Sequence, residues 1–284
     1  MGLVDAHAHL QADAFATDLE SVLQAAAAAG VEEILVPGWD LPSSRAAVAL
    51  AHRWTGESSL PRLHAAVGVH PHAAAAADEA AWVEVIDAAE DPAVVAIGET
   101  GLDYDRMFSP RESQLASLRR HLKLAFESAR PAILHCRSAP GSRAAQDDLL
   151  AELRRAGVGG PQWSGRFGTR PPAVLHSFSG PLDYAEAALG LGLAISFSAL
   201  VFRRGEGASA EAARLVPASR LLVETDSPYL SPPGRSRRRN EPSWVADVAA
   251  WLADQRGQGL SEVTAAVRGS FSQLIGRAPA GPVR

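Results

Sequence analysis

The chain of 284 residues has one cysteine, one lysine and no apolar run long enough to cross a bilayer. A single thiol, Cys136, excludes an intrachain disulfide and suits a reducing compartment, so a cytoplasmic location is expected. Met1-Gly2-Leu3-Val4 leads straight into Asp5, without the basic start and apolar stretch of a secretion signal, and Ala6 stands where a myristoylation signal needs Ser or Thr. The formal net charge is −5. That removes the broad basic face from which a sequence-scanning nucleic-acid binder draws affinity, but it leaves room for an enzyme that meets phosphate through metal ions. A Gly-x-Ser-x-Gly elbow, a dinucleotide glycine fingerprint and a P-loop are all missing. Serine hydrolases, dinucleotide enzymes and P-loop nucleotidases are disfavoured accordingly.

What is present is globular: 47% hydrophobic and 21% charged residues. The length suits one α/β barrel, which typically runs to about 250 residues, so one domain over residues 1–284 is expected, with about 277–284 loose. Short apolar or β-branched runs recur near residues 2–8, 33–36, 64–69, 94–99, 132–136, 173–176, 193–196 and 221–225, each followed by an Ala- or Leu-rich stretch with helical spacing. Eight strands alternating with helices, none hairpin-paired, predict a closed parallel (β/α)8 barrel.

After strand four, Ser109-Pro110-Arg111-Glu112 reads as a capping box, and the helix it opens has an apolar face of Leu115, Leu118, Leu122, Ala125 and Ala129. Lys123 points away from that face. Ser261 is expected to open a final helix that stops at Gly276. Residues 157–172 and 231–242 lack periodicity, the first on the face opposite the strand ends and the second on the same face as them.

The chemistry lies at those ends. His7 and His9 are two apart on the first strand, so both imidazoles face the barrel mouth and can hold one ion, although a lone His-x-His fits packed or surface histidines as well. Glu99, between Gly98 and Gly101, is either an acceptor for backbone N–H groups or a ligand reaching into the mouth. His135, His176 and Asp226 end strands five, six and eight. In a barrel these ends form one rim, where residues read as catalytic. Packing does not account for so many potential ligands on one rim, and together they predict a metal-dependent hydrolase.

Residues 5–10, 68–72, 98–104, 135–137, 176–180, 224–230 and 239–242 resemble, in order, the signature segments of the TatD family of metal-dependent hydrolases and deoxyribonucleases. The resemblance implies that His7, His9 and Asp226 hold one divalent cation, His135 and His176 another, and Glu99 bridges them. It implies further that Asp226 takes the proton of the attacking water and that His70 contacts substrate. A bridged pair about 3.5–4 Å apart polarises a phosphoryl oxygen and lowers the pKa of water. Related hydrolases often bridge their ions with a carboxylated lysine on strand four, but Lys123 is placed on a helix outside the barrel, which leaves Glu99.

Arg137 and Arg239 suit bidentate phosphate recognition, and Arg235, Arg237, Arg238 and Arg239 form either a phosphate loop or a solvated charge run. The alternative to the implied substrate contact of His70 is that His70 and His72 simply cap a loop. Cys136 faces the helical layer as a core thiol, and His52, His64 and His121 have no partner that the sequence names. Ser138, the residues before Arg239 and the stretch 157–172 depart from the family pattern. The leading expectation is a two-metal phosphodiesterase, a deoxyribonuclease acting on DNA or RNA as an exonuclease. The alternative is cleavage of a small ester, lactone or amide by the same centre, and a barrel retired to binding is a third reading. Imidazole with carboxylate suits zinc, manganese, cobalt or nickel, with magnesium as a substitute. A monomer without membrane association is expected.

Overall fold

The computed structural model describes residues 2–276, so the expectation of a loose end at 277–284 lies outside the described residues. Eight strands form one sheet: β1 (Leu3–Asp5), β2 (Val31–Pro37), β3 (Arg62–Val67), β4 (Val94–Asp103), β5 (Ala132–Arg137), β6 (Ala173–Leu175), β7 (Ala194–Phe197) and β8 (Leu221–Val223). They lie in sequence order, and every neighbouring pair is parallel. The outer strands meet where Ala6 N donates to Val223 O at 3.0 Å, Asp226 N to His7 O at 2.9 Å and His9 N to Ser227 O at 2.7 Å. These bonds close the sheet into the predicted barrel.

Helices cover the outside: α1 (Leu19–Ala28), α2 (Leu41–Arg53), α3 (Glu79–Ala89), α4 (Arg111–Ser128), α5 (Ala144–Arg155), α6 (Pro161–Phe167), α7 (Leu182–Gly190), α8 (Gly207–Leu215), α9 (Val245–Arg256) and α10 (Leu260–Leu274). Consecutive residues Ile34, Leu35 and Val36 are all fully buried, as are Ile133 and Leu134. Burial without alternation means both faces of the sheet are covered, and this is why these strands read as continuous apolar runs. On α4 Leu115, Leu118, Leu122 and Ala125 of the expected face are buried and Ala129 is half-buried just past the helix end, while Lys123 is exposed and pairs with Glu127, 3.8 Å away on the same helix. Each such leucine contributes about 2 kcal/mol of transfer free energy.

Two expectations need correction, and one stretch without a period gains an element. Ser109 does not cap α4: its hydroxyl donates to His72 O and accepts from Ala75 N, and α4 begins at Arg111 behind Pro110. The loop after β3 outcompetes the helix end for that hydroxyl. Residues 157–172, where the sequence shows no period, hold α6, which is too short to show a 3.6-residue period. Its signal was Pro161 in the first turn with Trp163 and Phe167 four apart, both buried. Strand four does not stop at Glu99; it continues through Leu102 to Asp103, with its register against β5 broken between Ile97 and Thr100.

Candidate metal centre

Glu99 is 2% exposed and sits in that irregularity of β4. The glycines on either side allow it. A Cβ at Gly98 would stand 2.8 Å from Ile133 O, and one at Gly101 would stand on the His135 carbonyl oxygen. Both glycines also have φ values, +145° and +135°, that other residues rarely adopt. Strand β5 therefore packs directly against the backbone of β4, and the carboxylate is left projecting into the mouth.

Two groups of donors converge on its two oxygens. Oε2 lies 3.3 Å from His7 Nε2 and 3.6 Å from His9 Nε2, and Asp226 Oδ1 lies 3.8 and 3.5 Å from the same nitrogens. Oε1 lies 2.8 Å from His176 Nε2, 3.2 Å from His135 Nδ1 and 3.4 Å from His70 Nε2. His7 Nε2 and His9 Nε2 stand 3.2 Å apart, and so do His135 Nδ1 and His176 Nε2. Ligands bound at about 2.0–2.2 Å in a tetrahedral arrangement stand roughly 3.4 Å from one another. The spacing thus suits divalent cations between the donors. Three overlapping ligand triplets arise: His7, His176 and Asp226; His7, His9 and Glu99; and His70, Glu99 and His135.

Outer partners set which imidazole nitrogen faces inward. His176 Nδ1 donates to Glu224 Oε1 at 3.1 Å, His135 Nε2 donates to Asp103 Oδ2 at 3.3 Å, and His9 Nδ1 donates to Pro37 O at 3.3 Å. Each bond leaves the opposite nitrogen's lone pair directed at the centre, the arrangement a metal ligand requires. Burial opposes the charge on Glu99, but His176, His70 and His7 hold its carboxyl well below the usual range. Burial likewise opposes the charge on Asp226, which His9 and His7 hold below its ordinary value. Asp103 behaves alike: His135, His72 and the Arg106 N–H outweigh burial and lower it. Ser177 and Asp226, which flank the centre, have φ of +45° and +55°, a strained setting for residues with a Cβ.

Asp103 and Glu224 were missed in the sequence. Glu99, Gly101 and Asp103 share the period-2 spacing that paired His7 with His9, and that was the available signal for Asp103. Glu224 precedes Asp226 by the same step. His70 and His72 do flank the site: His70 Nδ1 accepts from His72 N, and His72 Nε2 donates to Asp103 Oδ2 at 2.8 Å. Burial pushes His70 down to about 4, so it is neutral near pH 7. Arg137 is half-exposed on the rim with Nη1 3.6 Å from Asp103 Oδ2.

The arginine loop is less free than the sequence suggested. Arg239 makes two contacts to Asp18 at 2.8 Å and one to Glu241 at 2.7 Å, and it covers the Phe15 ring. Arg235 is bound to Asp247, while Arg237 and Arg238 are exposed. Cys136 is raised to about 12 by burial, a packed thiol as expected. His52, His64 and His121 also have partners, namely Asp91, Glu33 and the Val69 N–H.

A parallel (β/α)8 barrel with histidines and carboxylates converging at one end of its strands is the architecture of metal-dependent hydrolases. The chain belongs to the TatD family, for the family model described as TatD related DNase matches residues 4–276. It is 35% identical over 279 residues to the 3′-5′ ssDNA/RNA exonuclease TatD of Klebsiella pneumoniae (strain 342), covering 96% of this chain and 98% of the relative. Over 278 residues it is 33% identical to the uncharacterized metal-dependent hydrolase YabD of Bacillus subtilis (strain 168), with coverage of 96% and 98%. The crystal structure of YJJV, a TatD homolog from Escherichia coli K12, superposes with a TM-score of 0.81 at 29% identity, covering 96% of this chain and 97% of that one.

Proposed function

We propose that the protein is a two-metal phosphodiesterase that trims single-stranded DNA or RNA from an end. His7, His9 and Asp226 would hold one divalent cation and His135 and His176 the other, with Glu99 shared between them. One observation carries this reading: Oε1 and Oε2 of Glu99 each face a separate group of imidazole nitrogens. Divalent cations held there would supply Lewis-acid stabilisation of a phosphoryl oxygen and a lowered water pKa.

The chain's own groups do the remaining work. Asp226, kept ionised by His9, accepts the proton of the attacking water. His70 is neutral, and its Nδ1 is occupied by the His72 N–H, so its Nε2–H, 3.4 Å from Glu99 Oε1, is the donor it has for a phosphoryl oxygen bound beside that carboxylate. Arg137, anchored on one side by Asp103, offers its other edge to a phosphate. Zinc, manganese and magnesium all suit a donor set of imidazole and carboxylate.

The test is hydrolysis of a 5′-labelled single-stranded oligonucleotide with manganese or magnesium, beside a panel of lactones and N-acyl compounds. Progressive shortening that EDTA abolishes is expected. Turnover of a neutral ester or amide, with no oligonucleotide cleaved under any divalent metal, would overturn the phosphodiesterase reading.

A further inference from the structure

Among the described residues only two Phe, Tyr or Trp side chains are exposed, Phe108 at 70% and Tyr229 at 58%. Both stand at the metal centre, at opposite ends of it. The Tyr229 ring lies 5.9 Å from that of His9, and the Phe108 ring lies 4.7 Å from that of His72. Between them the rings of His9, His7, His176, His135, His70 and His72 follow one another at 4.0–5.4 Å. A single exposed aromatic ring on a protein surface needs no explanation. Two, confined to the two ends of the row of imidazoles that holds the candidate ligands, do.

Neither ring is on a slack loop. Phe108 precedes Ser109, whose hydroxyl is bonded to both His72 O and Ala75 N. The same loop is tied by the buried Gln114 side chain, which binds Asp103 N, Asp103 O and Ser109 O, and by Asp103 Oδ1, which accepts from the N–H groups of Asp105 and Arg106. Tyr229 is held through its own backbone: its N–H donates to Asp226 O at 2.9 Å, and its carbonyl accepts from the buried Asn240 amide at 2.7 Å. Each ring is thus exposed and positioned at once. That combination fits a surface prepared for a planar ligand, because little ordering remains to be done on binding.

We propose that Phe108 and Tyr229 are stacking platforms for two nucleobases, one on each side of the phosphodiester at the metal centre. The inference rests on the nucleic-acid reading above and deepens it. Every base has a π face, so the two platforms bind without regard to sequence, but they need unpaired bases; a duplex end does not offer them. The phosphate between the two stacked bases is thereby brought over Glu99, so the platforms are substrate-positioning residues that touch the bases and take no part in bond cleavage.

The test uses the metal-loaded full chain and two single-stranded substrates: an intact oligonucleotide, and the same oligonucleotide with abasic tetrahydrofuran residues at the terminal positions. Phe108→Ala and Tyr229→Ala should each raise KM on the intact strand by roughly 5- to 100-fold with little change in kcat, as loss of one stacked base does. Phe108→Trp should restore it. Wild type should show a similar loss on the abasic strand, where the alanine variants should lose nothing further. Unchanged metal content and melting temperature guard against misfolding, with Phe108→Leu and Tyr229→Leu as the milder pair. Alanine variants with wild-type KM on the intact strand, or with equal losses on both strands, overturn the platforms while the nuclease stands. A wild type that cleaves neither strand under any divalent metal overturns both.

Discussion

Asp226 combines three properties at one residue: a carboxylate 3.5 Å from His9 Nε2, a left-handed backbone and burial against the His7 ring. A group that is both ligand and proton acceptor matters more to turnover than to substrate binding. At saturating metal, Asp226→Asn should lower kcat by about 10²–10⁴ and change KM little, as steady-state kinetics on an oligonucleotide will measure. An Asp226→Asn enzyme with wild-type kcat would remove this residue from proton transfer. At this scale the imidazoles were legible because several strand ends that share one rim each carry a potential ligand. The residues that orient them were not. Asp103 lay beyond Glu99, where the apolar run of strand four ends, although the strand continues through Gly101 with β5 pressed against it. Glu224 was hidden by its neighbour Asp226, the stronger candidate. Arg239 was placed on the correct side of the barrel, yet its carboxylate partners Asp18 and Glu241 could not be seen, because Asp18 is more than 200 residues away in the chain and meets it only through folding.

The element that shapes the site most is β4. Its break in register between Ile97 and Thr100 turns Glu99 inward, and its glycines let β5 approach. Gly101→Ala should therefore damage the fold rather than merely the site. The new methyl would collide with the His135 carbonyl at a φ of +135°, and backbone clashes of this kind exceed the roughly 1 kcal/mol typical of a point substitution. A urea midpoint well below wild type is expected, and an unchanged midpoint would mean that β4 and β5 are not packed backbone to backbone. Strands were easy to read in the sequence because both sides of each are covered. The cap of α4 was misread because Ser109 satisfies the local capping pattern, yet its hydroxyl serves the loop that carries His72. The short α6 escaped for want of length, though Trp163 and Phe167 marked its buried face.

Across the whole molecule, folding removes protonatable groups from water, and His121 is the clearest case outside the metal centre. It is fully buried, its Nε2 accepts from Val69 N, its Nδ1 donates to Ser117 O, and burial lowers its pKa from 6.5 to about 4. The folded state therefore binds this proton less readily than the unfolded state. The resulting stability is fully present above pH 6.5 and is lost as pH falls towards 4, by an amount on the order of 3 kcal/mol. Urea unfolding with EDTA present, between pH 7 and pH 4.5, should show that loss, and His121→Gln should flatten it. A variant with the same acid slope as wild type would place the loss elsewhere.

The barrel brings residues from five strands and their loops, spread from His7 to Asp226, around one glutamate, and that convergence is what most needs testing. Metal should be counted by inductively coupled plasma mass spectrometry after equilibrium dialysis against manganese, for wild type, His135→Ala and Glu99→Ala. About two equivalents in wild type, about one in His135→Ala and close to none in Glu99→Ala are expected, since a carboxylate that joins two ions takes both with it when removed. Two tightly held equivalents in Glu99→Ala would contradict the bridge, and with it the two-metal centre built on Glu99.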